Sequence, residues 1–169
     1  MNSNMTPIDW AKRPLQKYAD FSGRAPRPEY WWFVLAMIVL FIVARIIESI
    51  LGLNGMILGA YGPLTLLVWL GTLLPSLAAA VRRLHDTDRS GWWILLPMVP
   101  YGLAFALGGA VMASGAGMAA LGTAGIFLLI GAACAIVLLV FMVLAGTPGP
   151  NRYGPNPYGV DDGAAVAAE

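Results

Sequence analysis

Charged residues are scarce in this chain: they make up 11% of its 169 residues, and none occurs between Trp92 and Ala145. Soluble domains contain about 25% charged residues. The chain has one His and one Cys, Cys134, which excludes an internal disulfide and a site built from several His or Cys ligands. Apolar residues make up 59% of it, so the composition indicates a polytopic membrane protein.

Four apolar runs are each long enough to cross a bilayer, which takes about 20 helical residues. They cover residues 31–51, 56–81, 92 to a Gly-rich break at 108–117, and 119–145. We therefore predict an all-α membrane protein with a four-transmembrane-helix bundle over residues 31–145. Pro63 and Pro75 are expected to kink the second span. Small residues four apart, such as Gly131 and Ala135, suit close helix contacts.

The N-terminal segment, residues 1–30, has no apolar run long enough for a secretory signal. Trp10, Pro14 and Tyr18 recur every fourth residue, which predicts a short helix. Such a helix either lies in the headgroup layer as an interfacial helix or packs against the bundle. Since proline fits best in a first helical turn, a start near Arg13 is an alternative to a start near residue 9.

The polar island, residues 82–91, separates the second and third apolar runs and holds the only His, His85. It also holds five of the 19 charged residues. Because long apolar runs lie on both sides of it, we expect the island to be a loop at a membrane surface. The Gly- and Pro-rich stretch after residue 145 predicts a turn series, followed by a short acidic tail from Asp161.

The positive charges predict the orientation of the chain. With a cytoplasmic N-terminus, the segments 1–30, 82–91 and 146–169 lie inside and hold five, three and one of the ten positive residues, nine in all. The opposite orientation would violate the positive-inside rule almost completely. We therefore expect both termini in the cytoplasm.

One charged pair lies inside an apolar run. Arg45 and Glu48 are three residues apart in the first span, so they share a helix face and are expected to pair. Both are near the far end of the span. The simplest expectation is that they snorkel to the outer interface, and a proton or ion relay is the functional alternative.

The catalytic motifs that can be recognised by spacing are absent from the sequence, including phosphate-binding loops, His-Glu-x-x-His and Gly-x-Ser-x-Gly. No catalytic residue, cofactor, metal site or nucleic-acid partner is predicted. His85 next to Asp86 is most simply read as a pair that hydrogen-bonds within the loop, and the functional alternative is an acid/base pair at the interface.

Three motifs resemble one family. They are Phe21-Ser22-Gly23-Arg24-Ala25-x-Arg27-x-Glu29-Tyr30-Trp31, Arg82-Arg83-Leu84-His85-Asp86-Thr87-x-Arg89-Ser90-Gly91-Trp92-Trp93, and Gly146-x-x-Gly149-x-Asn151-Arg152-Tyr153-Gly154-Pro155. Together they are similar to the domain of unknown function 805 family of small bacterial inner-membrane proteins. The resemblance implies a multi-span helical domain in the inner membrane and no established activity. Pro26 and Pro28 depart from the family pattern.

All three motifs fall on the predicted cytoplasmic face, which is therefore the candidate site. The leading hypothesis is a non-enzymatic module whose basic, aromatic-rimmed face binds anionic lipid headgroups or a partner, either another membrane protein or a second copy of the chain. The binding residues predicted for this face are Arg24, Arg27, Arg82, Arg83, His85, Asp86, Arg89 and Arg152. The interface anchors are Tyr30, Trp31, Trp32, Trp92 and Trp93.

Two other function classes are weighed against this one. An interfacial enzyme acting on lipid would use His85 and Asp86. A small transporter would need polar groups near the bilayer midplane and ranks last. The sequence makes one geometric prediction for the site: Asp86, surrounded by arginines, should tie the polar island to the segment containing Arg24 and Arg27.

Overall fold

The computed structural model describes residues 5–57, 59, 61–114 and 118–158, and the described chain is all-helical. Its helices are α1 (Pro7–Gln16), α2 (Arg27–Ile50), α3 (Pro63–Asp86), α4 (Leu95–Ser114) and α5 (Met118–Val143), with a 3₁₀ helix (Gly91–Ile94) before α4. The helices α2 to α5 are long and apolar enough to cross a membrane. This confirms the predicted all-α architecture with four transmembrane helices after a short N-terminal helix.

The N-terminal helix α1 begins at Pro7 because Thr6 caps it. The Thr6 hydroxyl accepts from the Asp9 N–H, and the Asp9 carboxylate accepts from the Thr6 N–H at 3.0 Å. This reciprocal capping box fixes the helix start, with Pro7 in the first turn. Pro14 therefore lies inside the helix and is buried, so the alternative start near Arg13 is wrong. The helix packs against α2.

The first span, α2, begins at Arg27, one turn before the expected start at residue 31. Pro26 has an extended backbone and Pro28 lies in the first helical turn, where its missing N–H costs no hydrogen bond. The two prolines thus set the helix start.

The second span, α3, is displaced toward the C-terminus relative to the predicted range 56–81. Gly52 and Gly55 have positive φ values of 67° and 74°, typical of turns, and Pro63 occupies the first turn of the helix. The expected kink at Pro63 is therefore wrong, whereas Pro75 does lie within the helix. The late start is matched by a late end, at Asp86.

The last two helices, α4 and α5, pack along one another. Gly131 permits this, since a Cβ there would lie 2.7 Å from the Tyr101 ring. The predicted close contact at Gly131 is confirmed. α4 remains helical through Gly108 and Gly109. Residues 115–117 of the expected break, and the acidic tail from Asp161, lie outside the described residues.

The buried interior is small and contains many charged groups. The largest fully buried side chains include Arg82, Arg83, Glu29 and Glu48. Large apolar side chains along the spans are instead exposed on the protein surface, such as Phe105 at 77%. A soluble domain buries apolar side chains and exposes charged ones. The reverse distribution seen here suits a helix bundle surrounded by lipid.

Candidate functional site

The polar island lies at the end of α3, and its first half is helical. Arg82, Arg83, His85 and Asp86 all belong to α3, so the expectation that they lie in a surface loop is wrong. The helix continues through these charges because other segments supply hydrogen-bond partners for most of their polar atoms, although Arg82 Nε is buried without one among the described residues. The helix ends at Asp86 with Thr87 as its C-cap, and Asp88 then turns the chain with a φ of 57°.

Five buried charged side chains at this end form what we call the polar cluster. Its members are Arg24, Glu29, Arg82, Arg83 and Asp86. Every one of them is less than a tenth exposed, and they come from two stretches of the chain, residues 24–29 and 82–86. Burial at this level costs several kcal/mol per charge unless partners are well placed, so the partners decide whether the arrangement is stable.

Asp86 is the centre of the polar cluster. One carboxylate oxygen accepts from Arg24 Nε at 3.0 Å, and the other accepts from Arg83 Nη1 at 2.5 Å. The predicted tie between Asp86 and the segment containing Arg24 is confirmed. Because both oxygens are occupied by guanidinium groups, the carboxylate charge is compensated without solvent.

Arg83 also closes the end of α5. Its Nε donates to the carbonyl of Met142 at 2.9 Å, and its Nη2 donates to the carbonyl of Leu144. The last four carbonyls of a helix lack partners within the helix. Trp31 Nε1 and Arg27 Nε, both from α2, donate to the same two carbonyls at 3.3 and 3.0 Å. Side chains from two other helices therefore cap α5.

The chain after α5 folds back onto α3. Arg24 donates to the carbonyls of Thr147 and Gly149, each at 2.7 Å. The Thr147 N–H donates to the Asp86 carbonyl at 2.8 Å, and Asn151 Nδ2 donates to the His85 carbonyl at 2.9 Å. These bonds also satisfy the free carbonyls at the end of α3.

Arg82 and Glu29 join α1 and α2 to α3. Glu29 accepts from Arg82 Nη2 at 3.2 Å and pairs with Arg13 Nε at 3.4 Å. Arg82 Nη1 donates to the carbonyls of Lys17 and Asp20, just after α1. Each carboxylate oxygen of Glu29 thus has its own guanidinium partner.

His85 does not pair with Asp86. Its ring stacks on Tyr153 with centroids 3.8 Å apart and an angle of 3° between the planes, and Nδ1 lies 3.2 Å from the Gly23 carbonyl. Asp86 is engaged by Arg24 and Arg83 instead. The geometry therefore gives no support to an acid/base pair of these two residues.

Arg89 and Arg152 are more accessible than the cluster. The Arg89 guanidinium lies 4.1 Å from the centroid of the Phe141 ring, and Trp93 meets that ring edge-on at 5.3 Å. Arg152 pairs with Asp88 at 3.2 Å, a largely exposed contact. The structure places both beside the end of α3, as the sequence predicted, but outside the polar cluster.

The predicted interface anchors lie on the outer surface near this end. Trp92 is 78% exposed, and Trp31, Trp32 and Trp93 are also exposed. Tyr30 is half-buried and meets Trp31 edge-on at 5.4 Å. Exposed indole rings at the end of a span are typical of the membrane interface.

The described residues of the site are not arranged as metal ligands. Among the residues that the structure describes, no group of three or more His, Cys, Asp and Glu side chains converges as metal ligands. The acidic members of the polar cluster are already paired with arginines.

Outside the spans, two titratable groups near the site have shifted pKa values. Hydrogen bonds from the Ser22 hydroxyl and N–H hold the pKa of Asp20 below its ordinary value. Burial raises the pKa of Tyr158. Tyr158 lines a small polar cavity of about 150 Å³ together with Arg27 and Asp86.

Sequence reasoning missed the group that fixes the start of α3. Glu48 is fully buried and accepts from the Thr65 N–H and hydroxyl, each at 2.6 Å. Its predicted pairing with Arg45 is confirmed at 3.6 Å, but Glu48 caps another helix and does not snorkel. The three-residue spacing shows the pair, and no pattern in the sequence shows the partner in α3. This structural role leaves the transporter reading without support from Glu48.

Four membrane-length helices with a buried charge cluster at one end define a multi-pass membrane protein. A family model described as "Protein of unknown function (DUF805)" matches residues 18–155. The chain therefore belongs to this family, and the resemblance seen in the three motifs is confirmed.

Two curated relatives from Escherichia coli (strain K12) resemble the chain over most of its length. Inner membrane protein YhaH is 35% identical over 150 residues, covering 89% of this chain and 97% of the relative. Inner membrane protein YhaI is 39% identical over 150 residues, covering 89% and 96%. No solved structure matches the chain significantly. With the four spans, these relatives support a multi-pass protein of the inner membrane.

Proposed function

We propose that the chain is a non-enzymatic membrane module that binds anionic lipid headgroups through Arg27, Arg89 and Arg152. The observation that carries this proposal is their position: all three retain accessible surface at the end of the bundle where Trp92 and Trp93 are exposed. Guanidinium groups match phosphate oxygens, and tryptophans favour the headgroup depth.

Arg24, Arg82 and Arg83 have a different role in this proposal. Apart from the buried Arg82 Nε, which has no partner in the described part of the chain, their side-chain nitrogens bind carboxylates and backbone carbonyls within the protein. A phosphate could reach them only by displacing these bonds and leaving Asp86 or Glu29 buried and unpaired, which is costly. These three buried arginines stabilise the end of the bundle, and the accessible arginines bind the lipid headgroups.

The proposal places this end in the cytoplasm. The positive-inside distribution of the sequence supports that orientation, and the inner leaflet is where anionic lipids attract juxtamembrane arginines. The cytoplasmic orientation and the binding of anionic lipid are consistent with each other, because the same positive charges can set the topology and attract the lipid.

The test compares lipids retained by purified protein. Arg27→Gln, Arg89→Gln and Arg152→Gln, combined in one chain, should retain less phosphatidylglycerol, by about fivefold for each arginine, with unchanged phosphatidylethanolamine. Arg45→Gln, at the opposite end of α2, is the matched control and should retain wild-type amounts. An unchanged ratio of the two lipids in the triple variant contradicts the proposal.

A further inference from the structure

An open cavity of about 400 Å³ lies between α3 and the 3₁₀ helix, next to the polar cluster. Leu77 and Val81 of α3 form one wall, and Leu95 at the start of α4 and Phe21 contribute others. This volume is within the range of small-molecule pockets, about 300–1,000 Å³. The apolar lining favours a hydrocarbon occupant.

Gly91 keeps the 3₁₀ helix close to α3 at this cavity. A Cβ on residue 91 would lie 2.8 Å from Val81 Cγ1, too close for any other residue without movement. The glycine thus fixes the separation of the two walls where they meet.

Two aromatic side chains with polar atoms are part of the cavity lining. His85 and Tyr153, stacked on each other, both line it. The Arg152 guanidinium lies 4.9 Å from the centroid of the same Tyr153 ring. A cation therefore lies one aromatic ring away from an apolar cavity. Its pair with Asp88 is exposed and so costs little to exchange for a phosphate, and the arrangement complements an amphiphile with a negative head.

The cavity is positioned to open toward lipid. Leu77 and Val81 belong to the membrane-spanning helix α3. Trp92 of the 3₁₀ helix also lines the cavity and is mostly exposed. An occupant can enter sideways from the bilayer without crossing water.

We propose that this cavity holds one acyl chain of a membrane lipid whose phosphate contacts Arg152. This inference rests on the proposed headgroup binding. It adds the place where an acyl chain of the bound lipid lies. Because the acyl chain moves from one apolar environment to another, van der Waals packing holds it in the cavity, and the arginine selects the head.

The test uses full-length protein in vesicles of phosphatidylethanolamine and phosphatidylglycerol, with a small fraction of phosphatidylglycerol carrying a photoactivatable diazirine on one acyl chain. After illumination, adducts are mapped by mass spectrometry of peptides. The inference expects adducts concentrated on Leu77, Val81 and Leu95, above the lipid-facing Leu67 and Leu129. An even distribution over all exposed apolar side chains overturns it.

A cavity-filling variant sharpens the test. Leu77→Trp should reduce adducts at Val81 and Leu95 to the level of Leu67 and Leu129, because the indole ring occupies the space that the acyl chain would fill. Leu70→Trp, two turns earlier on α3 and exposed, is the control and should leave them unchanged. If Leu77→Trp fails to fold, the wild-type adduct map still decides the question.

The two proposals fail in different ways. Adducts in the cavity that are equally strong with a phosphatidylethanolamine probe would retain the chain site and overturn anionic headgroup binding. A preference for the phosphatidylglycerol probe with evenly spread adducts would retain headgroup binding and overturn the chain site. Loss of the preference in Arg152→Gln, with cavity adducts remaining, supports both.

Discussion

Gly146 lies directly against the carboxylate of Asp86: a Cβ on residue 146 would be 2.7 Å from Asp86 Cγ and closer still to one oxygen. The chain after α5 can approach α3 this closely only because residue 146 has no side chain. The contact brings the carbonyls of Thr147 and Gly149 within reach of Arg24.

Gly146→Ala should therefore destabilise the protein by about 1–3 kcal/mol, the usual cost of inserting an atom into a packed site. Thermal unfolding in detergent measures the effect. Gly102→Ala in α4, where a Cβ would meet nothing within 4 Å, is the control and should be neutral or slightly stabilising. Equal melting temperatures for the wild type and Gly146→Ala would show that the contact is not maintained.

A double-mutant cycle should detect the bond between Asp86 and Arg24. Asp86→Asn and Arg24→Gln share a buried contact, so their effects should be non-additive by about 0.5–3 kcal/mol. Arg27→Gln combined with Asp86→Asn should show a smaller coupling, because Arg27 donates to the Leu144 carbonyl. Additivity for Arg24, or equal coupling for both arginines, would mean that Asp86 has no preferred partner in this segment.

Glu48→Ala should destabilise α3 from its N-terminus. The change leaves the Thr65 N–H and hydroxyl without their acceptor, at a cost of about 1–3 kcal/mol for buried groups. Glu48→Gln keeps one acceptor and should lose less, and Ser49→Ala, at the exposed neighbouring position, should lose little. Unfolding temperatures in detergent rank the three variants, and a larger loss for Ser49→Ala would contradict the capping role.

Ser22→Ala should raise the pKa of Asp20, because it removes the hydroxyl that stabilises the carboxylate. Since the folded pKa is depressed, this bond contributes stability above the ordinary pKa of about 3.9 and loses it as the pH falls through the folded value. The variant should lose that contribution, so its stability should fall less in acid. NMR titration of the Asp20 carboxyl carbon measures the shift, and Asp9, whose carboxylate bonds Thr6, should titrate as in the wild type.

Topology reporters should test the proposed orientation. A fusion after Asn54 should report the outside of the inner membrane, and a fusion after Glu169 should report the cytoplasm, as the positive-inside rule requires. A fusion after Glu169 that reports the outside would reverse the orientation and remove the anionic inner leaflet from the proposed function.

Local patterns in the sequence were sufficient for part of this structure. Apolar runs of bilayer length predict the four spans, and three-residue spacing predicts the pair of Arg45 and Glu48. Opposite charge predicts the tie of Asp86 to the segment containing Arg24 and Arg27. Each of these predictions needs only residues that are close in sequence, or residues of opposite charge on the same membrane face. The small-residue spacing at Gly131 likewise predicts a close helix contact without naming Tyr101.

Other features depend on partners that are distant in sequence. Charges at Arg82 and Arg83 normally indicate the end of a span, because an unpaired charge needs water. Here the carbonyls of Met142 and Leu144 accept from Arg83, so the helix continues. The acceptors are backbone atoms, which every residue carries, and the sequence gives no signal for them. For the same reason the accessible arginines could not be distinguished from the buried ones.

The arrangement at the end of α5 also determines when folding can finish. Arg24 and Arg83 are synthesised long before residues 142–149, whose carbonyls they bind. Until that last stretch has been synthesised, the two guanidinium groups can bind Asp86, but the donors that later bind these carbonyls must be hydrated at the membrane surface. The ion pairs of the polar cluster can form before α5 is made, but its hydrogen bonds to residues 142–149 can form only after α5 has inserted, so a chain truncated before residue 142 would leave those donors of Arg24 and Arg83 without their acceptors.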